Sequence, residues 1–322
     1  MPTVLITGGH NGLGLEAAKQ LAAGPKLNLV LAGRSLDKME AVAKQIRSQY
    51  GVKVTTLKLD LSSLGSVRAA AESCHAMLKN GQIDPLQAII CNAGAVFLTP
   101  ISYSVDGIEE TFAGNYLGHF LFVNLLLDDV SEGGRIVFTA SGTHDPETMD
   151  GKVAGRVVEP NAHALAFAGK NGVKPISGGK RYATSKLCLI LFAYELDRML
   201  RQSNSSVASI AYDPGAIPET GLLRTYPKFA QWLITTSVMK AFVRILGVTM
   251  GRLSFSGAGL AKMVMDPAYA DGSGKYFQSH NGTLSEARSS KVSYDKSRAR
   301  KLWSDSAQLV QLQASEKSAL LQ

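Results

Sequence analysis

The chain has 322 residues, 45% apolar and 19% charged, with a formal net charge of +8. This balance excludes a disordered protein, and no apolar run is long enough to span a bilayer. The positive charge is spread along the chain, which favours an anionic small ligand such as a nucleotide over nucleic acid. Cys74, Cys91 and Cys188 lie far apart and form no disulfide or zinc pattern, so a reducing, cytoplasmic setting is expected. The first strand-like run begins at Thr3, so no cleavable leader is expected.

Thr3 to Thr7 is a short aliphatic run, followed by the glycine-bearing turn from Thr7 to Gly14 and a helical pattern from Leu15 to Leu21. Strand, glycine turn and helix make the opening of a dinucleotide-binding unit. Gly8 permits the sharp exit from the strand, Gly12 lets backbone amides approach a pyrophosphate, and Gly14 lets the helix pack closely on the sheet. Gly8, His10, Asn11, Gly12, Leu13 and Gly14 are therefore the candidate phosphate cradle. The second strand, residues 28–34, ends in neutral Gly33 and cationic Arg34 where an acidic residue would read an unphosphorylated ribose. Arg34 offers its fork to a 2′-phosphate, so the cofactor is expected to be NADP(H).

After a helix over residues 36–50, a third strand over 53–59 ends in Asp60 and Leu61. Asp60 either accepts from an adenine amino group or caps the next helix together with Ser62 and Ser63. A fourth strand, residues 86–91, ends in Asn92, Ala93 and Gly94, whose small size suits a flat ring and whose asparagine can pin the turn. A long helix is expected from Gly107 to about Leu127, with Asn115 inside it and His119 in a structural place. Ser141 stands at the carboxyl end of a fifth strand, where open parallel sheets bind ligands.

A polar connection over residues 142–178 leads into a helix carrying Tyr182 and Lys186, four residues apart and so on one face. A phenol beside an ammonium is a proton donor with a lowered pKa. A sixth strand ends near Tyr212, and Pro214, Gly215, Ile217 and Thr220 follow in a loop expected to flank a nicotinamide. Residues 221–250 read as a substrate lid, with a core helix or a peripheral membrane contact as alternatives. A helix over 255–265, a short last strand over 274–278 and a surface helix from Tyr294 complete the chain. Asn281-Gly282-Thr283 reads as a chance match to a glycosylation pattern. The alternation implies an α/β, doubly wound parallel sheet of Rossmann type, three layers deep, in a single domain over residues 1–322.

Thr7-Gly8 with Gly12 and Gly14, Asn92-Ala93-Gly94, Asn115, Ser141, Tyr182 with Lys186, and Pro214-Gly215 together resemble the short-chain dehydrogenase/reductase family. Asn115-Tyr116-Leu117-Gly118-His119-Phe120, Ser185-Lys186-Leu187-Cys188, Thr220-Gly221-Leu222-Leu223-Arg224 and the tail 299–303 are most similar to its protochlorophyllide oxidoreductase and retinol-dehydrogenase-like branches. The resemblance implies NADP(H)-dependent hydride transfer to a carbonyl carbon. Tyr182 is the implied acid and Ser141 the group that fixes the carbonyl oxygen. Lys186 tunes Tyr182 and binds ribose, while Asn115 holds a water leading to Lys186. It also implies pairing of subunits through the helices bearing Asn115 and Tyr182, although the 142–178 segment could cover one such face, so dimer and monomer both stay open. That segment departs from the light-driven enzymes, which favours dark reduction of a bulky apolar ketone or aldehyde. The alternatives are light-driven C=C reduction in protochlorophyllide, with Cys188 near the pigment, and a non-catalytic NADP(H)-binding regulator.

Overall fold

Continuous aliphatic runs such as Thr3–Thr7 and Asn28–Gly33 form strands covered on both faces, as a central parallel sheet requires. The computed structural model describes residues 1–24, 27–97, 100–217 and 247–321, together with Thr236 and Ile245. Among the described residues the strands are β1 Thr3–Thr7, β2 Asn28–Gly33, β3 Val54–Lys58, β4 Leu86–Cys91, β5 Val130–Thr139, β6 Ala208–Asp213, β7 Tyr276–His280 and β8 Thr283–Ala287. They lie in the order β3-β2-β1-β4-β5-β6-β7-β8. All neighbours pair in parallel except β7 and β8. Chain order reverses between β1 and β4, and the crevice at the carboxyl ends of those two strands is where such sheets bind ligands.

Side chains alternate across the sheet with a period of two, so Val4 and Ile6 face one layer and Leu5 the other. On the first face pack the helices α1 Gly12–Ala23 and α2 Leu36–Tyr50. The second face carries α3 Leu64–Lys79, the short α4 Glu110–Phe112, a π-helical turn at Ala113–Leu117 and α5 Gly118–Leu126. Two short helices follow, α6 Met149–Val153 and α7 Ala162–Ala166, and then the 25-residue α8 Gly178–Gln202. Finally, α9 Leu253–Met265 joins the first face and α10 Lys296–Leu309 the second. On α10, Trp303 packs edge-on against Phe120, with ring centres 5.1 Å apart, and against Phe192 at 5.3 Å. Tyr116 Oη and Ser306 Oγ share a hydrogen bond of 2.9 Å.

Three differences from the sequence reading have local causes. The helix expected from Gly107 begins at Glu110, because the Glu109 carboxylate accepts from the Thr111 and Phe112 amides and fixes the first turn there. The last strand is followed by β8, which the reading missed. Asn281 (φ +50°) and Gly282 (φ +84°) build the two-residue turn that favours a hairpin, so this dipeptide is a turn signal. The connection over 142–178 contains α6 and α7, capped by Thr148 and Asn161. Of the expected lid, 221–250, only Thr236, Ile245 and residues 247–250 are described, and Thr220 also lies outside the described residues. Among the described residues no helix is long and apolar enough to cross a membrane, and no cluster of metal-ligating side chains occurs. All three cysteines are free and buried.

Candidate active site

The turns that follow β1 and β4 are stitched together at the switch point. Thr7 Oγ1 accepts hydrogen bonds from the Asn92 and Ala93 amides at 2.9 and 3.0 Å, and Asn92 Nδ2 donates to the Thr7 carbonyl at 3.0 Å. Gly8 (φ +68°) and Gly12 (φ +50°) take the left-handed backbone that this tight turn needs. Gly14 sits beneath it, where a Cβ would come within 2.6 Å of Asn92 Nδ2 and the Gly8 carbonyl oxygen. Its place is in helix-to-sheet packing, and it is not part of the cavity wall.

Thr7 also leads to Asn115. Its hydroxyl lies 2.9 Å from His119 Nε2, and His119 Nδ1 lies 2.9 Å from the Asn115 carbonyl. Because that carbonyl can only accept, Nδ1 carries the proton and Nε2 accepts from Thr7. Burial drives the His119 pKa down to about 4, so the ring is neutral. The Asn115 side chain meets the backbone of Ala95 from both ends, Nδ2 to O at 2.9 Å and Oδ1 from N at 2.8 Å, and Nδ2 also donates to Ser185 Oγ at 3.1 Å. Asn115 thereby ties the post-β4 segment to α8, the helix that bears Tyr182.

At the other end of the cavity Ser141 follows β5. Its carbonyl accepts from His144 Nδ1 at 2.7 Å, and His144 Nε2 accepts from the Ser290 amide at 3.0 Å, so the serine backbone is braced from the C-terminal segment. Lys186 Nζ is buried, donates to the Thr139 carbonyl at 2.7 Å and lies 5.8 Å from the centre of the Tyr182 ring. Burial lowers its pKa to about 8, against the opposing pull of Asp213, so it remains an ammonium at neutral pH. Arg181, next to Tyr182, was not singled out by its sequence context. It is fully buried, meets Glu109, and donates to the Phe97 carbonyl at 2.6 Å and to that of Ile176.

At the opposite, cationic end stand Arg34, Ser35, Lys38 and His10. Lys38 was also missed; it stands in the first turn of α2, just after Arg34, and lines the same cavity. Asp60 serves the local turn, its Oδ1 accepting from the Ser62 amide and hydroxyl at 3.1 and 2.8 Å, while Ser63 caps α3. Asp60 and Leu61 also line the cavity.

One continuous cavity of about 1230 Å³ joins these parts. Its wall includes Gly8, His10, Asn11, Gly12, Leu13, Arg34, Asp60, Leu61, Asn92, Ala93, Gly94, Asn115, Ser141, Tyr182, Lys186, Pro214, Gly215 and Ile217. The 142–178 connection adds Thr143, Asp150, Val153 and Ala154. Cys188 is buried in the core on the second face and does not reach the wall. A cationic end, a glycine turn in the middle and a serine, tyrosine and lysine at the far end fit a phosphorylated dinucleotide with a substrate beyond it.

The arrangement suits an oxidoreductase that uses a dinucleotide, and the sequence comparisons agree. A sequence model of the short chain dehydrogenase family matches residues 2–151. The chain belongs to the short-chain dehydrogenase/reductase family, close to its protochlorophyllide reductase branch. It is 34% identical to a chloroplastic protochlorophyllide reductase of Chlamydomonas reinhardtii, over 97% of this chain and 78% of that protein. Among solved structures, an uncharacterised protein from Mycobacterium Paratuberculosis superposes with a TM-score of 0.69 at 26% identity, covering 97% of this chain and 94% of that one. A blue fluorescent protein from a metagenomic library, solved in complex with NADPH, shares the fold with a TM-score of 0.63 at 19% identity, over 87% of this chain and 97% of that one.

Proposed function

We propose that the protein is an NADPH-dependent reductase of bulky, apolar ketones or aldehydes. The observation that carries this reading is the placement of two hydroxyl groups, Ser141 and Tyr182, on one cavity wall with the Lys186 ammonium. An electrophile with an oxygen can use both hydroxyls, one to hold that oxygen and one to protonate it. The cofactor, when bound, supplies the hydride. Arg34 and Lys38 hold the 2′-phosphate, and the turn from Gly8 to Leu13 holds the pyrophosphate. Tyr182 gives its phenolic proton to the carbonyl oxygen as the carbon is reduced, and Ser141 donates a hydrogen bond to the same oxygen. Lys186 stabilises the phenolate left behind, and its proton supply runs on the Asn115 side. Three buried thiols, free of disulfides, accord with a reducing compartment such as the cytoplasm.

The test is NADPH oxidation against a panel of ketones, aldehydes and quinones, with Tyr182→Phe beside the parent protein. The variant is expected to bind NADPH normally and to lose on the order of 10²- to 10⁴-fold in rate. A Tyr182→Phe rate within a few-fold of the parent on every active substrate would sink the assignment.

A second reading, reduction of a C=C bond in protochlorophyllide, is favoured by the near full-length similarity to the chloroplastic enzyme. Against it stands Cys188, which lies in the core and away from the cavity. Incubating the protein with NADPH and protochlorophyllide in light and in darkness separates the two readings by product.

A further inference from the structure

His10 stands in the phosphate turn, yet its ring lies over the end of β2 and not over the turn itself. A Cβ built on Gly33 would fall 3.1 Å from His10 Cε1 and 3.3 Å from Nδ1, with Met39 Sδ at 3.2 Å completing the contact. The imidazole therefore occupies ground beside residue 33, where the adenosine ribose is read. Its Nδ1 is buried and has no hydrogen-bond partner among the described residues. The charged neighbours are Arg34 after β2 and Lys38 on α2, both cationic. From β3, Lys58 donates to the Arg34 carbonyl, and Asp60, which also lines the cavity, is engaged with Ser62. Among the described residues, no carboxylate bonds the ring to offset those cations.

We propose that His10 takes up a proton when the 2′-phosphate of NADP(H) enters, so that preference for NADP(H) over NAD(H) strengthens as pH falls from about 8 to about 6. This inference rests on the NADP(H) reading above. Without ligand, burial foremost and then Lys38 and Arg34 hold the His10 pKa below its ordinary 6.5, so the ring is neutral at pH 7. A phosphate beside it reverses the balance, because an opposite charge favours the imidazolium. The ring then holds more protons in the complex than in the free protein, and linkage requires affinity to rise as pH falls between the free and bound pKa values. A phosphate monoester has its own second ionisation near ~6, and this works in the opposite direction because the cationic site prefers the dianion. Binding in a variant without the imidazole isolates that second effect.

The experiment measures Kd for NADPH and NADH by titration calorimetry between about pH 6 and pH 8, on the parent protein and on His10→Asn. Buffers of different ionisation enthalpy report the protons taken up. The parent is expected to weaken several-fold for NADPH as pH rises, within the limit of about tenfold per pH unit set by one proton. His10→Asn should lack this weakening, and NADH should bind with little pH dependence to either protein. The ring nitrogens of His10, followed by NMR, should titrate at higher pH with NADPH than with NADH. Parallel NADPH profiles for parent and variant, with no difference in proton uptake, would overturn the coupling while leaving the cofactor assignment intact. Failure of both proteins to bind NADPH at every pH would overturn the cofactor assignment and the coupling with it.

Discussion

Arg181 and Glu109 meet at 2.8 Å with their side chains 2% and 1% exposed, one residue ahead of Tyr182 on α8. The Nε–H points off the line of a hydrogen bond to Glu109, so the contact is ionic. The other guanidinium nitrogens donate to the Phe97 and Ile176 carbonyls. Glu109 itself caps α4. The pair thus fixes the start of α8 against the rim of the cavity.

Removing one member leaves the other charge buried and uncompensated. Arg181→Met should cost about 3–5 kcal/mol in denaturant unfolding. Replacing both partners by apolar residues should recover part of the loss. Arg181→Lys should also be destabilising, since one ammonium cannot span the three partners that the planar fork reaches. Unfolding midpoints indistinguishable from the parent would contradict the buried-pair account.

Lys186 sets an upper pH limit. Its pKa is lowered to about 8, chiefly by burial, so under the proposed mechanism the ammonium beside the Tyr182 phenol is lost as pH rises through that value. The rate of carbonyl reduction should be level near neutrality and fall above about pH 8. A profile that stays flat to about pH 10 would count against this role for Lys186.

His119 should make stability sensitive to acid. The unfolded ring titrates near 6.5 and the folded one near 4, so the unfolded state binds the extra proton between those values. Stability is complete above pH 6.5 and declines as pH falls toward 4, by on the order of 3 kcal/mol from this group. His119→Gln should start less stable at pH 7 but show a shallower decline over the same range. Equal slopes for both proteins in chemical denaturation from pH 4 to 7 would refute the assignment.

Gly118 opens α5 directly against the end of β3, and a Cβ there would run into the Leu61 carbonyl. Gly118→Ala should cost about 1–3 kcal/mol and weaken NADPH binding, because Leu61 lines the cavity. Gly65→Ala on α3, where a Cβ meets nothing, is the control and should be neutral or stabilising by about 0.5–1 kcal/mol. Calorimetric affinity together with unfolding separates the two effects.

What could be read from the sequence was what local chemistry encodes. The turn from Gly8 to Gly12, Ser141 at a strand end, and the spacing of Tyr182 and Lys186 each announce themselves within a few residues, and all line one cavity. The strand and helix alternation likewise gave the doubly wound sheet. What escaped depended on partners distant in the chain. Arg181 looks like an ordinary basic residue until Glu109 and Phe97 are folded onto it. His119 was rightly expected to be structural, but its link from Thr7 to the Asn115 carbonyl is a tertiary arrangement. The Asn281-Gly282 hairpin carries a local turn signal although the dipeptide also reads as a chance motif, and Lys38, within the helix expected over residues 36–50, shows its place at the cavity only once the chain is folded.

The helices that carry Asn115 and Tyr182 do not offer the outer surface that their aromatic rings would suggest, because Trp303 of α10 is wedged against Phe120 and Phe192. Beyond α10 the chain is clasped at further points, Glu316 on Arg68, Ser318 on Asp128 and the Leu320 carbonyl on the Ser203 hydroxyl. The carboxyl-terminal stretch therefore covers the part of that face where Phe120 and Phe192 lie. Any association of two copies through that face has first to unseat Trp303.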